Sequence, residues 1–158
     1  MSVLRKYTVI VPLSLSISFL VTACSESKVS QCQRLIDVVN KGTELIENNK
    51  GQQVVTSLQL SKDLEATTKE IENLNLKDSR LQEFQHSFIK IFGSFSQSIA
   101  QAGKALSATK TAQASSQGRV QIQQAKGEID KTLTAAANNG KEYDTLASQM
   151  NKYCNQPE

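Results

Sequence analysis

Apolar residues recur every three or four positions over most of this chain, the spacing that lines one face of a helix. Leu35, Val38, Val39, Gly42, Leu45 and Ile46 form the first such stripe and predict a helix over roughly 29–48. Asn48-Asn49-Lys50-Gly51 follows as a stop, because Asn and Gly accept the left-handed conformation that closes helices. The second stripe is incomplete: Val54, Leu58, Leu64, Ile71 and Leu74, with Ser61, Thr67 and Thr68 filling inward places, predict a helix over roughly 52–74. Turn residues occupy 73–78, and Ser79-Arg80-Leu81-Gln82 resembles a capping box.

The third stripe is the strongest. Leu81, Phe84, Phe88, Ile91, Phe95, Ile99, Ala102 and Leu106 predict a central helix over roughly 80–108, with Gly93 offering a close approach to a neighbour. A small, polar stretch over 109–118 reads as a loop. The fourth stripe (Ile122, Ala125, Ile129, Leu133, Ala136, Gly140, Tyr143, Ala147, Met150 and Cys154) predicts a helix over roughly 119–153. Asn138-Asn139-Gly140 weakens its propensity, but the stripe stays in phase across it, which favours a weakened or kinked helix over a break. Four helices joined by short loops predict an all-α, up-down-up-down four-helix bundle.

The first 24 residues follow another pattern. Arg5 and Lys6 precede an apolar stretch over 7–21, and small residues lead to Cys24. This is the order of an export signal. As a retained membrane helix the stretch is short and is interrupted by Pro12, Ser14, Ser16 and Ser18. Its end, Leu20-Val21-Thr22-Ala23-Cys24, resembles the lipobox of bacterial lipoproteins. The resemblance implies cleavage before Cys24 and a lipid on its thiol. The expected organisation is a signal peptide over 1–23, a lipid-anchored spacer over 24–30 and the helical domain over 31–158. The expected location is the cell membrane or outer membrane, with the domain facing the periplasm or exterior.

Assigning Cys24 to lipid leaves Cys32 and Cys154, near the two ends of the mature chain. Export places them where disulfides persist, so they are expected to pair. An even number of antiparallel helices returns the chain to its starting end and brings them together. A three-helix arrangement would hold them apart.

Composition agrees with a helical domain. Of the 158 residues 39% are apolar and only 5% aromatic, with no Trp and two Pro, which disfavours a sheet-rich fold. Removing Arg5 and Lys6 from the 18 basic residues leaves 16 against 15 acidic, a balance read as interspersed charge with no clustered basic face for nucleic acid.

Candidate chemistry is sparse. Glu70 and Glu72, or Glu44 and Glu47, could be named as carboxylate pairs, but such spacings usually mark a solvated helix face. His86 is the single histidine, which excludes di-iron Glu-x-x-His pairs and multi-histidine zinc sites, and its spacing from Phe84 and Phe88 takes it off the core face. No phosphate-binding loop or nucleophile elbow occurs. No metal or cofactor is expected. The expectation is therefore a non-enzymatic envelope lipoprotein acting by protein–protein contact with an unidentified partner, held to the membrane by Cys24. The alternative is a bundle that holds a hydrophobic small molecule or cofactor beside Phe84, Phe88 and Phe95.

Overall fold

A computed structural model describes residues 26–49 and 54–157. Helices α1 (Lys28–Asn48), α2 (Val54–Glu72), α3 (Ser79–Thr111) and α4 (Ser116–Cys154) form an antiparallel all-α bundle. The segment over 1–23 expected to be a signal peptide, the expected lipid site Cys24 and the linker over 50–53 lie outside the described residues. Three helices open on side-chain caps that satisfy N–H groups the helix itself leaves unpaired. Ser27 Oγ accepts from Ser30 N–H, Asp78 Oδ1 from Leu81 N–H and Ser115 Oγ from Gly118 N–H.

The caps revise several boundaries. Asp78, not Ser79, caps α3. The spacer expected to reach Ser30 ends earlier, since Ser27 caps α1 and Glu26 is already tied to Arg34. The loop expected over 109–118 shrinks to the four residues 112–115. Gly118 makes this hairpin possible, because a Cβ there would meet Gln113 O at 1.8 Å. Helix α4 runs unbroken through Asn138-Asn139-Gly140.

The helices differ in length. At 1.5 Å per residue, α1 and α2 are about 30 Å long, whereas α4 reaches about 58 Å. The core lies where all four overlap. Leu35, Val39, Leu64, Ile71, Leu81, Phe88 and Phe92 are almost wholly buried there. Phe92 was absent from the stripe read in the sequence, yet it is buried while Phe95 is only partly so. The cause is α1: Gly42 sits against the Phe92 ring, where a Cβ would approach Cε1 to 2.6 Å. The close approach expected at Gly93 is found at Gly42 instead, and a Cβ at Gly93 would meet nothing within 4 Å.

Polar residues set the register between helices. Ser61 Oγ donates to Ser96 O (3.0 Å) and Ser96 Oγ to Ser61 O (2.9 Å), a reciprocal pair buried between α2 and α3. Small side chains allow this approach, and burial makes each hydroxyl depend on its partner.

Candidate functional site

One end of the bundle gathers both termini of the described chain. Cys32 and Cys154 are disulfide-bonded with Cα atoms 5.9 Å apart, as expected, and the three-helix alternative is excluded. Around the bridge, α1, the α2–α3 loop and the end of α4 are tied together. Gln31 Oε1 accepts from Lys77 N–H and Asp78 N–H, while its Nε2 donates to Glu26 O. Gln85 Nε2 donates to Ile71 O (2.6 Å) and Leu74 O (2.9 Å), adding to the turn bonds that these carbonyls accept from Leu74 N–H and Leu76 N–H and so fixing the α2–α3 loop on α3. The Tyr153 hydroxyl donates to Asp78 Oδ2 (2.8 Å) and its ring packs on Phe84 and beneath Lys28.

These contacts shift three ionisable groups. Burial disfavours the Asp78 carboxylate, but hydrogen bonds from Leu81 N–H, the Tyr153 hydroxyl and Arg80 N–H, with the charge of Lys28, outweigh it and hold its pKa below the ordinary value. The same bond to Asp78, with burial, raises Tyr153. Hydrogen bonds from Arg34 and Ser30 lower Glu26. Cys24 stands two residues before Glu26 in the sequence.

The other end is open among the described residues. Helix α1 stops at Asn48, level with Phe95 and Gly140, whereas α2, α3 and α4 continue. Below that level α1 lies in a trough whose floor is α3 and whose walls are α2 and α4, which make no contact with each other among the described residues. Tyr143 marks the top of the packed region. It is edge-on to Phe88 and Phe92 at 5.9 and 6.1 Å, and Thr43 Oγ1, which donates to Val39 O, accepts its hydroxyl at 2.7 Å. Just above, Thr43, Ile46, Phe92, Phe95, Gly140 and Asp144 line a cleft of about 220 Å³.

Beyond the cleft the trough has no occupant among the described residues. Ile99 and Leu106 lie on the same face of α3 as Phe88, and Ile122, Ile129 and Leu133 on the same side of α4 as Gly140, each displaced by a near-whole number of turns. Leu106, Ile122 and Leu133, expected in the core, are 40%, 45% and 59% exposed. The buried cluster takes nothing from α4 before Tyr143.

The charges also depart from the expected interspersion. No Asp or Glu occurs between Glu83 and Glu128, while Lys90, Lys104, Lys110, Arg119 and Lys126 do. Most of this stretch forms the projecting α3–α4 hairpin.

His86 is exposed, as read. Glu70 is paired with Lys41 Nζ at 2.7 Å. No cluster of three or more metal-binding side chains occurs among the described residues, and none of their helices is long and apolar enough to cross a membrane. Phe84 and Phe88 are filled core rather than cavity lining; the cleft lies at Phe92 and Phe95. No protein-family model matches the chain, and neither a curated protein nor a solved structure matches it significantly.

Proposed function

We propose that this chain is an envelope lipoprotein, held by a lipid on Cys24 to the cell membrane or outer membrane, that acts without catalysis through contact with another protein. The supporting observation is the polarity of the bundle. Glu26, two residues after Cys24 in the sequence, lies at the disulfide-closed end, and the long α3–α4 hairpin projects from the opposite one. A lipid at Cys24 would set the closed end against the bilayer, since the two residues from Cys24 to Glu26 span about 7 Å at full extension. The hairpin tip would then stand several tens of Å away, within reach of another envelope component.

The ligand-binding reading has less support. Of its expected lining, Phe84 and Phe88 are packed against Tyr153, Tyr143 and Phe92, and Phe95 borders the cleft. The cleft of about 220 Å³ falls below the roughly 300–1,000 Å³ usual for small-molecule sites.

Replacing Cys24 by Ser and fractionating cells tests the anchor. The expected result is unprocessed precursor or loss of the lipid-bearing membrane form. Normal processing with unchanged membrane retention would overturn the proposal.

A further inference from the structure

We propose that the open trough above α1 is a docking site for a helix of another protein, three to four turns long, amphipathic, and acidic along the flank that meets α4. The inference deepens the protein-contact reading and rests on it for the existence of a partner.

Helix α1 itself shows what the trough holds. Its apolar side fills the lower half between α2 and α4, and the floor continues upward in the same register after α1 ends. From Phe95 to Leu106 the floor extends about 16 Å, and from Gly140 back to Ile122 the α4 wall extends about 27 Å. A helix of eleven to fourteen residues, about 16–21 Å long, fits these lengths. The linker between α1 and α2, Lys50-Gly51-Gln52-Gln53, has no apolar side chain with which to cover such a surface.

Charge selects among occupants. Arg119 and Lys126 are exposed one helical turn either side of Ile122 and form the upper lip of α4, with Lys110 one turn beyond Leu106 on α3. The facing stretch of α2, residues 54–61, carries no charge. Glu128, the nearest acid on α4, lies in a groove with Ala105 and Ala108 on the other side of α3, Asp130 lies to the outer side of the lip, and Glu47 and Asp144 flank the lower mouth. A second copy docking by this face would set one basic lip against another in a two-fold arrangement, which disfavours it. A bilayer surface is also disfavoured, because the apolar floor is recessed between two helices. An acidic amphipathic helix satisfies both floor and lip.

The test uses the full-length protein in its own cells, with a benzophenone amino acid placed singly at Ile122, Leu133 or, as an outward-facing control, Val120. Crosslinked peptides are then sequenced. The expected product at Ile122 and Leu133, and not at Val120, is one segment of one protein with apolar residues at helical spacing and a run of Asp or Glu on one flank. The double variant Arg119→Glu, Lys126→Glu, which alters only exposed positions, is expected to lower that yield about ten-fold or more through like-charge repulsion. Crosslinks to lipid, to this chain, or to a segment without an acidic flank would overturn the inference, as would a yield unchanged by the double variant. A protein partner crosslinked only from Val120 or other outward positions would remove the trough while leaving the protein-contact reading intact. Absence of any protein crosslink from every position would remove both.

Discussion

Two glycines in this bundle have opposite meanings. Gly42 lies against the buried ring of Phe92 and the Thr67 methyl, and a Cβ there would fall within 2.7 Å of two ring carbons. Gly42→Ala should gain about 1 kcal/mol of helix propensity yet lose about 1–3 kcal/mol to overpacking. Because the ring is wedged among core side chains, a lower thermal midpoint is expected. At Gly140 a Cβ meets nothing within 4 Å, so Gly140→Ala should stabilise α4 by about 0.5–1 kcal/mol. Thermal unfolding of the two variants should move in opposite directions. Asp78 gives a residue-scale pH dependence. Its carboxylate has a folded-state pKa below the unfolded value, so its contribution is present above about pH 4 and is lost as pH falls through the folded value. Asp78→Asn keeps a capping side chain and should flatten the slope of stability against pH on the acid side, measured by denaturant titration. Tyr153 behaves in the reverse sense: its contribution is complete below about pH 10 and is lost as pH rises through its raised folded value.

At the scale of elements, helix number, order and direction were legible because the three-to-four spacing is strong and Asn, Gly and Ser punctuate it. Which part of each stripe is covered was not. Ile122 and Leu133 continue the face of α4 in perfect phase, but α1 ends before it can cover them. Periodicity reports that a face is apolar; only the relative lengths and levels of the helices decide whether it meets another. The same reason moved Phe92 inward and left Phe95 at the edge. The buried glutamines were illegible for a different reason. Gln31 and Gln85 look like surface residues, and their value lies in bonds to loop backbone that only the fold brings near. Gln85→Leu would fit the burial but remove the bonds to Ile71 O and Leu74 O, which keep their turn bonds from Leu74 N–H and Leu76 N–H, and a loss of about 0.5–1.5 kcal/mol is expected by chemical denaturation. By contrast, Leu133→Gln should change stability by less than about 0.5 kcal/mol, as for a surface position.

For the whole molecule, Cys32 and Cys154 were the long-range contact that the sequence made readable, since the arithmetic of three cysteines left two to pair. The bridge joins residues 122 apart. In the chain-entropy account a loop of that size contributes about 4–5 kcal/mol at most. The double variant Cys32→Ser, Cys154→Ser should therefore unfold at a markedly lower denaturant midpoint, with the wild-type protein under reducing conditions approaching it. What could not be read was the level at which α1 stops against α3 and α4, because the cysteine pairing constrains only the closed end.

The bridge also determines how force would travel. A pull between the N-terminal side of Glu26 and the hairpin tip has two covalent routes. One follows α1, α2 and α3; the other crosses from Cys32 to Cys154 and runs along α4 alone. The second is much shorter, so in the oxidised protein it becomes taut first. Tension is then borne by α4 and the sulfur atoms, and α1 and α2 are spared. Cutting the bridge would reroute the load through the rest of the bundle and lengthen the leash by which the tip is held.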